Sequence, residues 1–467
     1  MPHWIRVDIL LPLSGLLTVL GFLLALLLLA NALRSKRPPS STIAWLLAIV
    51  LVPYIGVPLY LMFGGRKMRR MAGTKGPVYG PNPGGSEGTF GAGTERILRS
   101  YGLPPATMGN RVRLVASGEE AYAHLLRIVD EAEHTIHIIT YILGKDPVGE
   151  AVVARLARRA SEGVRVRLLL DAVGSWRIGR RHLRPLIDAG GRVAFFMPVL
   201  HVPFRGRSNL RNHRKIVVAD RKAAMTGGMN IASEYMGPRP DRDRWRDVSV
   251  VVEGPAACHL DDVFRSDWSF ASREAVPEPP REQPSLEVGD APVQVVASGP
   301  DVAGDPLYES LVALLFAAKT RIWVVTPYFV PDEILARALE LAARRGLDVR
   351  LLIPFRSNHV TADLARAGYL RPIHDAGALI LRYLPTMVHA KVTIVDDDLA
   401  VVGSANMDMR SLFLNYEVAL FLYDHERIAD ALGWTQSLFP DCRHGLAPRT
   451  WYKELAESLV RLLSPLL

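Results

Sequence analysis

The eight residues HRKIVVAD at 213–220 return as HAKVTIVD at 389–396, and no other feature of the chain limits its fold as strongly. The spacing is the same 176 positions that separates Asn230 in TGGMN from Asn406 in VGSAN (213 to 389, 230 to 406). Further pairs follow in the same order. VRLVASG at 112–118 matches VQVVASG at 293–299, TIHIITYIL at 135–143 matches TRIWVVTPYFV at 320–330, and VRVRLLLD at 164–171 matches DVRLLIP at 348–354. One offset shared by separate motifs marks a duplicated domain. Within each copy β-branched runs alternate with helical runs, EAVVARLARRASEG and EILARALELAARRG, each closing on glycine. This order predicts an α/β domain, once over 112–274 and again over 293–467. The Pro-rich acidic stretch 275–292 is the expected linker. No GxGxxG follows a first strand, which argues against a dinucleotide-binding fold.

The N-terminus is of another kind. Ile9 to Leu33 and Thr42 to Phe63 are nearly unbroken apolar stretches joined by the basic turn RSKRPPSS. Each exceeds the ~20 residues that a membrane-spanning helix needs. Two such stretches in succession, the first longer than a signal peptide's apolar region, predict a membrane hairpin over 1–70 with spans at 9–33 and 42–63. Arg6, Arg66, Lys67, Arg69 and Arg70 flank the pair, against Arg34, Lys36 and Arg37 in the turn. The positive-inside rule therefore puts the large C-terminal part in the cytoplasm. Residues 71–111 open with a Gly/Pro-rich stretch and read as a tether. The C-terminal WYKELAESLVRLLSPLL could pack on the second domain or lie on a bilayer surface.

The net charge of +9 favours anionic partners. The two cysteines, Cys258 and Cys442, lie in no CxxC or Cys/His cluster, which implies neither a zinc site nor a disulfide framework.

Residues two apart on a strand face the same way, so His213 and Lys215 project together, as do His389 and Lys391. Asp220 and Asp396 fall where each strand turns, and Asn230 and Asn406 follow near tight glycine turns. One such motif would mean little. Two, packed face to face about a pseudo-twofold axis, make one cationic site for a single phosphate. One neutral histidine can attack phosphorus while the other acts as general acid and then base. The lysines and asparagines would stabilise the charge that develops on the oxygens. Each imidazole needs an acceptor that selects its tautomer, and Asp247 and Glu417, following their motifs at similar distances, are the candidates. No acidic cluster for Mg²⁺ or Ca²⁺ accompanies the motifs, so the expected chemistry uses no metal or other cofactor.

These residues resemble the phospholipase D superfamily, whose HxKxxxxD motif occurs twice. RSNLRNHRKIVVAD, GGMNIASEYMG, WRD, HAKVTIVDDDLAVVGSANMDMRSLFLNYEV and the N-terminal PYIGVPLYLMFGG are similar to bacterial cardiolipin synthases of that superfamily. The resemblance implies two phospholipase D-like α/β domains with one active site at their pseudo-twofold interface. It implies transphosphatidylation of two phosphatidylglycerols to cardiolipin and glycerol through a phosphatidyl-histidine, at the bacterial inner membrane. Carried over by position, His213 and His389 are nucleophile and acid/base, with His213 the expected nucleophile. Lys215 and Lys391 sit on the phosphate, Asp220 and Asp396 hold the site together, and Asn230, Ser404 and Asn406 match phosphate-contacting positions. Gly228 replaces serine in the first copy. The same site would also serve a hydrolase, a transferase to another alcohol or a nuclease. The membrane hairpin disfavours nucleic acid as substrate, and the two intact motifs disfavour a non-catalytic scaffold.

Overall fold

The computed structural model describes residues 75–79, 90, 93–198, 210–274, 276 and 288–446, with six single positions between 26 and 56. The expected spans at 9–33 and 42–63 lie outside the described residues apart from those positions, as do residues 277–287 of the linker and the C-terminal 451–467. Among the described residues no helix is long and apolar enough to cross a membrane.

The first repeat contributes strands β1 (Thr107–Val115), β2 (Thr135–Thr140), β3 (Arg165–Asp171), β4 (Arg192–Phe196), β5 (Ile216–Ala219), β6 (Ala223–Gly227) and β7 (Ser249–Glu253). The second contributes β8 (Ala291–Ser298), β9 (Arg321–Val325), β10 (Phe329–Val330), β11 (Asp348–Pro354), β12 (Leu379–Tyr383), β13 (Val392–Val395), β14 (Leu399–Gly403), β15 (Met407–Asp408), β16 (Glu417–Leu422) and β17 (Cys442–His444). All but β10 and β15 join one sheet. From its centre outward the order is β1-β7-β6-β5-β2-β3-β4 on one side and β8-β16-β14-β13-β9-β11-β12 on the other, with β17 at the far edge. Apart from β17, each position in one half has its counterpart in the other, as a duplicated α/β domain requires. The halves meet where β1 runs antiparallel to β8.

β2, β3 and β4 are parallel, as are β9, β11 and β12, and β5 and β13 run antiparallel to β2 and β9. The start of each motif strand therefore lies at the C-terminal end of the parallel strands. Ile136 and Ile138 of β2 and Leu168 and Leu170 of β3 pack with Leu125, Ile128, Val152 and Leu156 from helices Gly118–Glu131 and Pro147–Ser161. On the opposite face, His137 of β2 stacks on Phe264 of helix Pro255–Ser272. Helices on both faces explain why these strands read as continuous apolar runs rather than alternating ones. The two helices read from periodicity run over Pro147–Ser161 and Glu333–Arg344. Asp146 and Asp332 accept N–H bonds at their N-termini.

The tether reading of 71–111 needs correction. Thr94–Ser100 is a helix, and Lys75 is buried with its ammonium between the carboxylates of Asp267 and Asp301. Glycine and proline content marks where a chain can turn; it does not reveal a single lysine with buried partners.

Candidate active site

The first half of each motif departs from its expected strand. β5 begins at Ile216 and β13 at Val392, so His213, Lys215, His389 and Lys391 precede them. At this point the chain crosses to the other repeat. Asn212 forms a parallel bridge with Tyr416, and Val388 with Arg246. His213 N donates to Tyr416 O at 2.9 Å, and His389 N donates to Arg246 O at 2.7 Å. Each histidine is thus pinned through its backbone to the segment leading into a strand of the opposite repeat, β16 for His213 and β7 for His389, and the two motifs share one site.

The crossing exchanges the carboxylates. Chain distance pairs Asp247 with the first motif and Glu417 with the second, but the structure pairs them the other way. His389 Nδ1 lies 2.7 Å from Asp247 Oδ2. His213 Nδ1 lies 3.2 Å from both Glu417 Oε2 and Ser404 O. A carboxylate or a carbonyl only accepts, so Nδ1 carries the proton in both rings and Nε2 keeps its lone pair. Lys391 Nζ lies against the same ring, 2.7 Å from His389 Nδ1 and 3.0 Å from Nε2. Each lysine also donates to the carbonyl of its own motif histidine, Lys215 at 2.6 Å.

The two halves differ in one detail. Ser404 Oγ donates to Glu417 Oε2 at 2.5 Å, so Glu417 serves a hydroxyl and an imidazole together. At the matching position a Cβ on Gly228 would lie 2.1 Å from Asp247 Oδ1. A serine there would collide with the carboxylate that holds His389.

Burial and mutual charge act on these groups together. Burial, and then Lys391, press His389 down to about 3. Burial also lowers His213, with Lys215 and Lys391 adding to the effect and Glu417 opposing it. Lys215 is brought down to about 7 and Lys391 to about 8, in each case first by burial. Burial works against ionisation of Glu417, but His213, Lys215 and the Ser404 hydroxyl outweigh it and hold the carboxyl below its ordinary range. Both imidazoles are neutral at pH 7, facing two partly protonated lysines.

Asp220 and Asp396 lie at the other end of their strands, each with φ near +50° (53° and 51°). Asp220 accepts from the N–H groups of Glu133, His134 and Thr135 at 2.6–2.9 Å. Asp396 accepts from those of Lys319, Thr320 and Arg321 at 2.8–2.9 Å and from the Thr320 hydroxyl. They lock the entrance to β2 and β9. Asn230 is also occupied locally, its Oδ1 accepting from Ile142 N at 3.1 Å. Asn406 Nδ2 donates to Ser411 Oγ at 3.1 Å, and Asn406 shares with Lys391 the lining of a cavity of about 20 Å³. Among the described residues no group of three His, Cys, Asp or Glu side chains is arranged to hold a metal ion.

Aromatic walls are what the sequence reading missed. Tyr141 stands edge-on to His213 at 4.8 Å between ring centres, with Lys215 Nζ 5.5 Å from its own. Tyr235 and Trp245 flank His389 at 5.1 and 5.5 Å. The available signal was position: Tyr141 directly follows β2 inside a repeated segment, and Trp245 sits two residues before Asp247.

A family model described as cardiolipin synthase, PLD-like domain, matches residues 125–268 and 311–438. A second, described as phospholipase D-nuclease N-terminal, matches residues 23–65. The chain is 34% identical to cardiolipin synthase 1 of Bacillus anthracis and 36% identical to cardiolipin synthase of Geobacillus kaustophilus. Each alignment covers 92% of this chain and 90% of the relative. Among solved structures, phosphatidylserine synthase of Haemophilus influenzae superposes with a TM-score of 0.58 at 14% identity, covering 80% of this chain and 97% of that one, a likeness of fold.

Proposed function

The chain belongs to the cardiolipin synthase family of phospholipase D-like proteins, and from that premise we propose that it transfers a phosphatidyl group between two phosphatidylglycerols through His213. The exchanged pairing carries this reading. With both Nδ1 protons held by carboxylates, the Nε2 atoms are the ones left for chemistry. His213 Nε2 attacks phosphorus and the bond to the glycerol oxygen breaks. His389, protonated, gives its proton to that oxygen and glycerol leaves. The terminal hydroxyl of a second phosphatidylglycerol then attacks the phosphatidyl-His213, passing its proton to His389. Cardiolipin departs and both imidazoles are restored. Lys215 and Lys391 offset the charge on the non-bridging oxygens. Burial and then Lys391 hold the free ring neutral; the negative charge of the bound phosphodiester, added to that of Asp247, offsets both, and the ring takes up a proton from solvent. Asp247 and Glu417 keep each ring in its working tautomer. Asp220 and Asp396 support this site from a distance.

His213 is the better nucleophile on two counts. Its side chain is 12% exposed against 5% for His389, and its carboxylate is shared with Ser404. The tighter Asp247–His389 pair suits the ring that must carry a positive charge.

The protein is membrane-associated, in keeping with its N-terminal match. The finer reading is a hairpin spanning the inner membrane at 9–33 and 42–63, with the catalytic unit on the cytoplasmic face. Supporting it, large apolar side chains are exposed in the loop that follows β3 and at the first residue of the helix that follows β11, Val360–Asp375, at the site's end of the sheet. Trp176 is 71% and Val360 74% exposed, and the Arg177 guanidinium lies 5.4 Å from the Trp176 ring. An apolar ring beside a cation suits an anionic lipid surface.

The test is to incubate purified full-length protein with phosphatidylglycerol labelled in its acyl chains, separate the lipids by thin-layer chromatography, and map the quenched protein. Cardiolipin as product with label on the His213 peptide is the expected result. Phosphatidic acid as sole product would make it a hydrolase, and label on His389 would reverse the two roles.

A further inference from the structure

Lys75 is twelve residues past the end of the second apolar stretch (63 to 75), yet its side chain is 1% exposed. Lys75 Nζ lies 2.5 Å from Asp267 Oδ1 and also binds Asp301 Oδ2. Both carboxylates are fully buried and shared with Arg214, which stands between His213 and Lys215 in the motif. Arg214 Nη1 is 2.6 Å from Asp267 Oδ1, and Arg214 Nη2 is 3.1 Å from Asp301 Oδ1. The segment after Lys75 is anchored too, by Val78 N to Asp301 O at 3.2 Å and by Ala297 N to the Tyr79 hydroxyl at 3.0 Å.

Two routes lead from this cluster to the nucleophile. Asp267 Oδ2 accepts from Asn212 Nδ2 at 2.7 Å, and Asn212 Oδ1 accepts from Arg214 N at 3.1 Å. The residues on either side of His213 are thereby fixed. Lys75 Nζ also lies 5.2 Å from the centre of the Tyr416 ring, and the Tyr416 carbonyl holds the His213 amide. The second motif has Ala390 where the first has Arg214, so the cluster serves His213 alone.

We infer that Lys75 is a positioning residue for His213, through which the segment following the membrane-proximal sequence completes the catalytic site. Two buried carboxylates are balanced by two cations, one from the motif and one from outside both repeats. Without Lys75 a net negative charge remains buried behind the nucleophile, and Arg214 is drawn out of the arrangement that holds Asn212 and His213. Catalytic competence then depends on residues 75–79 being seated.

This inference rests on the assignment of His213 as nucleophile. The experiment measures kcat and KM of the full-length protein on phosphatidylglycerol vesicles for Lys75→Met, Lys75→Arg, Asp301→Asn and the Lys75→Met/Asp301→Asn pair. Lys75→Met should lower kcat about 10- to 100-fold with KM unchanged, and Lys75→Arg should keep most activity. Removing the surplus carboxylate in the double variant should restore kcat above that of Lys75→Met, because one anion again faces one cation. A role in packing alone would give no rescue, so a double variant no better than Lys75→Met overturns the inference, as does wild-type kcat in Lys75→Met. A wild-type protein that turns over no phosphatidylglycerol would instead overturn the function proposed above.

Discussion

Asp247 and His389 come from different repeats, and the 2.7 Å contact between Asp247 Oδ2 and His389 Nδ1 joins the two repeats within the candidate site. Glu417 and His213 form the reciprocal pair. Neither repeat pairs its motif histidine with its own carboxylate, so each pair exists only when both copies share a sheet. Asp247→Asn should therefore reproduce the loss expected of His389→Ala rather than act through the motif nearest to it in sequence. An amide can present its NH₂ to Nδ1 and favour the wrong tautomer, a change worth up to about 10⁴-fold in kcat. Steady-state kinetics on the single variants and on Asp247→Asn/His389→Ala test this. The double variant should be scarcely worse than His389→Ala, because residues acting as one unit are not additive.

Gly228 is required by space. A Cβ there would lie 2.1 Å from Asp247 Oδ1 and 2.7 Å from its Cγ. Gly228→Ser, which copies the second repeat, should displace Asp247 from His389 and cost on the order of 10²-fold in kcat, in the range of a lost transition-state contact. Ser404→Gly removes one hydroxyl from Glu417 and should cost less. Comparing kcat for the two variants decides the order.

The pH dependence follows from burial. Lys215, held at about 7, and Lys391, held at about 8, lose charge as pH rises, so kcat/KM should fall on the alkaline side. His213 lies below the ordinary imidazole value, so the acid limb should begin lower than an exposed histidine would set it. Together these give a bell-shaped profile. Stability has its own sign. His389 is held at about 3 in the folded chain, against about 6.5 when unfolded. Between those values the unfolded chain binds the extra proton. Stability is therefore lost as pH falls below about 6.5 and continues to fall to about 3. Thermal unfolding across that window should be less steep with pH in His389→Gln than in wild type.

Asp396 accepts four hydrogen bonds that close the loop before β9. Burial opposes its ionisation, and the N–H groups of Arg321 and Thr320 outweigh that and hold it below the ordinary carboxylate range. Asp396→Asn should cost about 3 kcal/mol of stability, read as a lower unfolding temperature. Turnover per folded molecule should change by less than about tenfold, because Asp396 lies at the far end of the strand from His389. A loss of kcat as large as that in His389→Ala, with stability intact, would return Asp396 to the reacting centre.

The repeat was fully legible in the chain. A constant offset between motifs, β-branched runs and helices ending at glycine are local properties, and they specify two α/β copies without knowledge of the packing. The members of the candidate site were legible for the same reason: His213, Lys215, His389 and Lys391 announce themselves by type and spacing, and Asp247 and Glu417 by following them. Which carboxylate serves which histidine was not, because it depends on the chain crossing between repeats at Asn212–Tyr416 and Val388–Arg246. Pairs that are distant along the chain but adjacent in space leave no periodicity to read. The same holds for Tyr141, Tyr235 and Trp245, which look like ordinary core aromatics until their rings are seen against the histidines. It holds most of all for Lys75, one lysine in a Gly/Pro-rich stretch, whose role is set by two buried carboxylates about 190 and 230 residues away in the chain. Sequence alone determined which chemically capable groups the two motifs carry and that they come in two sets. Tertiary structure decided how the sets interlock, since burial and contact depend on where the chain returns in space.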